Sequence, residues 1–264
     1  MIPEQRRERL VKELRRAGVL SVHELCDLLS VSHMTVRRDI SALERDGRVY
    51  SVPGGVKLAR QINTEPSYLD KSVTEVAEKQ AMARAAATLV TSGQMIYLDA
   101  GTTIGHMVPF IWEIDELTVV TNDLTTAALL IDHPSIELFH IGGRVDRRNR
   151  SVVGDIAARS MSEFNLDLAF ISTSSWDLNR GSTTPSEAKV MLKRAAMRAA
   201  ATSVLIAGAA KYGSFGTLKV APLDQFHHVI TDTALSEHTA NEIRLTGVHV
   251  ELTNPADEMQ ELST

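Results

Sequence analysis

The residues best suited to chemistry fall in four short stretches. In YLDAGTT, residues 97–103, an apolar run stops at Asp99 and breaks at Gly101 into the hydroxyls of Thr102 and Thr103. VVTND sets Thr121, Asn122 and Asp123 after a second apolar run, and IGGR sets Gly142, Gly143 and Arg144 after a third. Lys211 follows a fourth run, TSVLIAG. Glycine lets a backbone approach a ligand closely, hydroxyls donate to anionic oxygens, and the start of a following helix favours negative charge. Arg144 and Lys211 add positive charge. Together these groups suit an anion, a phosphate or a carboxylate, and such a site serves turnover or sensing equally well.

The elements around them must bring these stretches together. From about residue 75 helical and strand-like runs alternate. EVAEKQAMARAAATLV reads as a helix and GQMIYLDAG as a strand. TIGHMVPFIWEI is helical, broken or kinked at Pro109. The strands ELTVVTND, SIELFHIGG, LDLAFIST, TSVLIAG, HHVITD and VHVELT are interleaved with the helices LTTAALLIDH, PSEAKVMLKRAAMRAAA and SEHTANEIRL. Regular alternation argues for an α/β domain with a mostly parallel sheet. In such sheets ligands bind beyond the carboxyl ends of the strands, where all four polar stretches fall.

Composition narrows the class. The chain has 264 residues, 44% of them hydrophobic and 23% charged. No apolar run approaches the ~18 residues of a membrane helix. The first residues are charged from Glu4 onward and lack a signal-peptide core. We therefore expect a cytoplasmic protein with no membrane contact. The single cysteine, Cys26, excludes an internal disulfide framework and a thiolate cluster. His227 and His228 open a strand and point to opposite faces, so no metal is expected, and no cofactor is implied. Charge is uneven. Residues 1–60 hold 12 Lys and Arg against 8 Asp and Glu, and the remainder 16 against 25.

The basic head carries its own motif. Leu10, Val11, Leu14 and Ala17 follow helical spacing up to Gly18. Ser21 and Glu24 form a capping-box pair ahead of Val22, Leu25, Cys26 and Leu29. After a tight turn, Ser32 caps a third helix that ends near Gly47. Val36, Ile40 and Leu43 make its inward stripe, while Met34, Arg38, Ser41 and Arg45 face outward with Arg37 on the flank. GRVYSVPGGVKL then alternates about a Pro-Gly-Gly turn, with Arg48 and Lys57 on its arms. This is the order of a winged helix-turn-helix, whose second helix enters the major groove of DNA. A basic helical element that merely packs on the body is the plain alternative, and the complete helix-helix-helix-hairpin order argues against it.

Over roughly residues 4–252 the chain resembles the DeoR family of bacterial transcriptional regulators. The resemblance rests on VSHMTVRRDISALERDGRV and PGG in the head, and on EKQAMARAAA, LDAGTT, VVTND, IGGR, VVGD, LDLAFIST and GSTTPSEAKVMLKRAAM in the body. It implies a repressor of a carbohydrate or acid-sugar operon, relieved by a phosphorylated sugar or acid-sugar effector. It also implies an effector domain similar to ribose-5-phosphate isomerase. The expected organisation is a winged helix-turn-helix domain at 1–58, a linker at 59–74, an effector domain at 75–254 and a polar tail at 255–264. By this likeness Ser32, Thr35, Arg37 and Arg38 contact operator DNA, and His33, Met34, Ser41 and Arg48 complete that face. Asp99, Gly101, Thr102, Thr103, Asn122, Gly143, Glu187 and Lys211 contact the effector, joined by Arg144. Asp167 and Glu187 fall where the related isomerases keep acids. A homo-oligomer, dimer or tetramer, is implied. One departure stands out: the family usually has Asp-Ser-Ser-Lys where this chain has Gly208, Ala209, Ala210 and Lys211. The rival reading is a sugar-phosphate isomerase or deaminase with an appended helical domain. The expected role is a regulator with no catalytic residue, because an acid is missing from GAAK and GSTTPSE carries no lysine.

Overall fold

The apolar stripes of the head close on one another. Leu10, Val11 and Leu14 on α1 (Pro3–Ala17), Leu25, Cys26 and Leu29 on α2 (Val22–Leu29), and Val36, Ile40 and Leu43 on α3 (His33–Arg45) are all buried together. A computed structural model describes residues 1–256, so all but the first two residues of the expected polar tail lie outside the described chain. The caps form as the sequence suggests. Ser21 Oγ accepts the Glu24 amide at 3.2 Å, and Glu24 accepts the Ser21 amide at 2.7 Å. Ser32 Oγ accepts the Thr35 amide at 3.4 Å. A buried Arg6–Asp39 ion pair pins α1 to α3. β2 (Val49–Val52) and β3 (Gly55–Leu58) form the antiparallel wing, and β1 (Val19–Leu20) pairs with β3. A Cβ at Gly55 would lie 2.5 Å from the Leu20 carbonyl oxygen, so only glycine admits that third strand.

After the wing come β4 (Arg60–Ile62) and α4 (Tyr68–Ser72), and then the body. Its first half holds α5 (Val76–Ala87), β5 (Met95–Leu98), α6 (Thr102–Gly105), α7 (Val108–Ile111), β6 (Thr118–Thr121), α8 (Leu124–Leu130) and β7 (Glu137–His140). β8 (Arg144–Asp146), β9 (Ser151–Val153) and α9 (Asp155–Met161) lead to β10 (Leu166–Ser172). Next are β11 (Ser175–Asp177), β12 (Gly181–Thr184), α10 (Glu187–Ala199), β13 (Ala200–Ile206), β14 (Ser214–Gly216) and β15 (Leu218–Ala221). β16 (His228–Asp232), α11 (Glu237–Arg244) and β17 (His249–Thr253) end it. Pro109, near the start of α7, marks the break expected in TIGHMVPFIWEI.

Seven of these strands form one parallel sheet in the order β17-β16-β13-β10-β5-β6-β7. Successive residues serve opposite faces: Ile96 and Leu98 join one apolar core and Tyr97 the other. Helices cover both sides, Met82, Ala83 and Ala86 of α5 on one and Leu192, Ala195 and Ala196 of α10 on the other. The chain runs outward from β5 to β7, then returns to lay β10 on the far side of β5. The sheet thus reverses between β5 and β10, and in such sheets ligands bind beyond the carboxyl ends of the strands near the reversal.

Three parts were not legible as structure in the sequence, the first being the β8–β9 hairpin with α9. β11, β12 and β15 form a small antiparallel sheet rich in buried hydroxyls, among them Ser175, Ser182, Thr183 and Thr184. The segment 59–74 is bound to the body. β4 pairs in parallel with β14, and Ser67 and Asp70 close a capping box on α4.

Candidate functional site

Asp99 sits where the sheet reverses, and it is buried. One of its oxygens accepts the Ser172 amide at 2.9 Å and the Ser172 hydroxyl at 2.8 Å, and pairs with Lys193. The other accepts the Tyr97 hydroxyl at 3.3 Å. Lys193 also donates to the Ser172 carbonyl at 2.8 Å. Burial pulls the Lys193 pKa down, and Asp99 opposes that pull. Asn122 is equally committed: its Oδ1 accepts Tyr97 Oη and the Ala100 amide, both at 2.9 Å, and its Nδ2 donates to the Val152 carbonyl. Asp123 caps α8 by accepting the Thr125 and Thr126 amides, and it ties down the Gly101 amide at 3.1 Å. Burial pushes the Asp123 carboxyl up against those bonds. A Cβ at Gly101 would lie 3.1 Å from Ser172 Cβ, so any larger residue there would press on β10. Asp99 and Asn122 are thus placed as braces of the loop, with their polar atoms turned inward.

The braced loop opens on a cavity of about 150 Å³. Gly101, Thr102, Asp123, Thr125 and Thr126 line one side, and Tyr68 and Ser72 of α4 line the other. Thr126 Oγ1 is buried with no hydrogen-bond partner among the described residues. Thr103, beside Thr102, is buried as well.

Cations crowd the same end of the sheet. Lys71 on α4 donates to Glu65 Oε1 at 2.9 Å and to Asn149 at 2.7 Å. Lys189 on α10 pairs with the other Glu65 oxygen. Burial alone would raise the Glu65 carboxyl, but the two lysines bring it down to about 2. Lys79 is buried under α4 and donates to the Lys71 and Thr74 carbonyls. Lys211 donates to the Thr173 carbonyl at 2.9 Å. Its burial lowers its pKa to about 8, with Glu65 and Glu75 opposing and Lys71 and Lys79 adding to the effect. At the first position of GAAK, a Cβ on Gly208 would lie 3.4 Å from Asp232 Oδ2 and 3.7 Å from Glu75 Oε2. An acidic side chain at 208 would meet two carboxylates.

The remaining expected site residues are dispersed. Asp167 does not join the cleft, which corrects its expected place. It lies at the amino end of β10 and accepts the Met95 amide at 2.8 Å, across the sheet from Ser172. Gly143 and Arg144 are exposed at the start of the β8–β9 hairpin, outside the cavity lining. The Gly143 Cα faces Val152, which a Cβ would meet at 3.0 Å. Glu187 is exposed on the first turn of α10, two residues before Lys189. Sequence reasoning missed Glu65, Lys71, Lys79, Lys189 and Lys193. One signal was available: Lys189 and Lys193 stand at i and i+4, where like charges repel unless each finds an anion.

The head presents a different surface. Ser32, His33, Met34, Arg37, Arg38, Ser41 and Arg48 are exposed, and Thr35 is half-buried. Neither Arg37 nor Arg38 enters an ion pair among the described residues. Ser32 Oγ lies 3.0 Å from Thr35 Oγ1, which sets both hydroxyls at the start of α3. Behind this face the head is seated on the body. Asn179 and Arg180, in the β11–β12 turn, donate to the Glu44 and Gly47 carbonyls at 2.7 and 2.8 Å. Tyr50 of the wing packs edge-on to Tyr212, which packs on the buried Trp176.

Comparison with known proteins follows this division. The DeoR-like helix-turn-helix domain family matches residues 6–61, and the DeoR C terminal sensor domain family matches residues 74–233. The chain is 42% identical to the HTH-type transcriptional regulator YgbI of Escherichia coli K12, over 92% of this chain and 95% of that one. It is 28% identical to the HTH-type transcriptional repressor GlcR of Bacillus subtilis, over 96% of this chain and 97% of that one. A solved ribose 5-phosphate isomerase A from Methanocaldococcus jannaschii aligns with 51% of this chain and 53% of its own length, at 15% identity and a TM-score of 0.38.

Proposed function

We propose, given that this chain belongs to the DeoR family of HTH-type transcriptional regulators, that it is a DNA-binding repressor of a carbohydrate or acid-sugar operon. Its effector is an anionic sugar derivative held beyond the carboxyl ends of β5 and β6, at the cavity beside Thr102. The observation that carries this reading is the pairing of two surfaces in one chain. The first turns of α3 offer DNA arginines that have no ion pair among the described residues, and the body holds both a small hydroxyl-lined cavity and a group of lysines at the same end of the sheet. Ser32, Thr35, Arg37 and Arg38 reach phosphates and base edges, with Met34, His33, Ser41 and Arg48 completing the contact. Thr102, Thr103 and the lysines hold the effector's acidic oxygens. Two heads in a symmetric oligomer read half-sites one helical turn, or a multiple, apart.

Sensing fits the cleft better than turnover. Isomerisation needs a carboxylate free to take a proton. Asp99 is enclosed by Ser172 and Lys193, Asp167 lies at the opposite end of its strand, and Glu187 stands exposed outside the cavity lining. A band-shift titration against the DNA flanking the protein's own gene tests the reading, with and without sugar phosphates. A sequence-selective shift weakened about 100-fold by effector corresponds to about 2.7 kcal/mol of differential binding. Binding that ignores sequence, or turnover of ribose 5-phosphate by the purified protein, would overturn it.

A further inference from the structure

Glu65 is out of place for a residue of a connecting segment. Its side chain is only 15% exposed, and its two oxygens are divided between Lys71 and Lys189, one to each. We propose that the Lys71–Lys189 pair is a receptor for the effector's acidic group and that Glu65 is its built-in competitor, displaced when a carboxylate or phosphate arrives. This rests on the reading of the carboxyl end of the sheet as the effector site.

The charge balance favours exchange. Lys71, Lys79, Lys189, Lys193 and Lys211 share this end of the sheet with Glu65, Glu75 and Asp99, and Glu65 is the carboxylate that bridges two of the lysines. Lys211 has three ammonium protons and donates one, to the Thr173 carbonyl, among the described residues. A phosphate carries more negative charge than a carboxylate and more acceptor oxygens. It satisfies donors that the tethered Glu65 leaves open. The cavity beside Thr102 adjoins the cluster through α4, which bears Tyr68 and Ser72 on the cavity and Lys71 on Glu65.

Displacing Glu65 acts on the seat of the head. Glu65 follows β4 by three residues, and β4 is zipped to β14 from the bond between the Arg60 amide and the Gly213 carbonyl. Gly213 is also the residue on which the Tyr50 ring of the wing rests, since a Cβ there would lie 2.2 Å from that ring. Lys211 is two residues upstream. The same short stretch therefore touches the anion cluster, the connecting segment and the wing. A ligand that lifts Glu65 loosens β4, which follows the wing directly and pairs with β14 beside the Tyr50 contact, and that is how binding in the body reaches the head.

The test compares full-length protein with Glu65→Gln. Each is titrated calorimetrically with glucose 6-phosphate and with gluconate, and each is probed by trypsin at Arg60 and Lys71. Removing a tethered competitor of millimolar effective concentration should tighten binding about tenfold. The compound that gains identifies which acidic group competes with Glu65. Saturating ligand should speed cleavage of the unmodified protein within 60–71, and Glu65→Gln should be cleaved readily without ligand. If Glu65→Gln fails to fold, Glu65→Asp carries the test, with a smaller gain in the same direction from its shorter reach. Binding by both proteins with equal or weaker affinity in the variant overturns the inference alone. Silence of both toward both compounds overturns the effector-site reading and the inference with it.

Discussion

Arg37 and Arg38 on α3 stand in solvent with no ion pair among the described residues, whereas Lys193 is enclosed against Asp99, and Lys71 and Lys189 share Glu65. Both regions are cationic, but their physics differs. An exposed arginine costs little to leave unpaired, stays hydrated, and draws a polyanion from a distance in a salt-dependent way. A buried ammonium needs an oxygen at all times, because an unpaired charge in the interior costs several kcal/mol. The head can wait for its partner with empty hands. The body must fill its cation cluster with its own carboxylates until a ligand replaces one, and that requirement makes exchange possible there.

Mutations should expose the difference, the largest effect first. Lys193→Met strands the buried Asp99 carboxylate and should lower body stability by about 3–5 kcal/mol. Urea unfolding measures this, and a loss below about 1 kcal/mol would mean that Asp99 has other support. Thr102→Val removes a hydroxyl donor to a charged oxygen and should weaken effector binding by about 1.5–3 kcal/mol. Operator affinity without effector should stay unchanged, and an induction assay that survives the substitution would place the anion site elsewhere.

Arg38→Ala is the counterpart on the exposed side. It should cost roughly 1–3 kcal/mol of operator affinity and relax specificity at one base pair. Stability should move by no more than about 0.5 kcal/mol, as for an exposed residue without partners. Uniform loss on every sequence would assign Arg38 to phosphate contact alone. The smallest effect concerns pH. Lys211 faces Glu65, Glu75, Lys71 and Lys79 and loses its proton near pH 8. Effector affinity should therefore fall as pH rises through about 8, by at most tenfold per unit. From about 8 up to the ordinary lysine value the folded state binds fewer protons than the unfolded chain, so the Lys211 contribution to stability rises with pH there. A flat binding isotherm series from pH 7 to 9 would remove Lys211 from the site.

Periodic segments were legible throughout. The stripe of Val36, Ile40 and Leu43, the caps at Ser21 and Ser32, and the alternation that builds the parallel sheet follow from spacing of 3.6 or 2 residues. The polar strand ends were legible too, and Asp99, Asn122 and Asp123 do fall at the carboxyl ends of β5 and β6. The roles of these residues were not. Asp99 and Asn122 look like ligand contacts from their place after a strand, yet burial turns their polar atoms to Ser172, Lys193, Tyr97 and Val152. Asp167 belongs to the same strand as Ser172 but faces the other end, which no motif match reveals. The small sheet β11–β12–β15 escaped notice because its strands are short and built of serine and threonine rather than apolar residues.

What local pattern determined by itself is the elements of the head, the strands and main helices of the parallel sheet, the arginine-bearing face of α3 and the family to which the chain belongs. Each depends on residues close in sequence, where periodicity, capping and turn chemistry act without knowledge of the rest. Only the tertiary structure decided the use of Glu65. It lies in a polar stretch of Asn, Thr, Pro and Ser that reads as connection, and its lysine partners at 71 and 189 stand 6 and 124 residues away. Burial then sets the outcome. In water those three side chains would gain little from meeting, but enclosed at the sheet end each requires the others, and the connecting segment becomes part of the site.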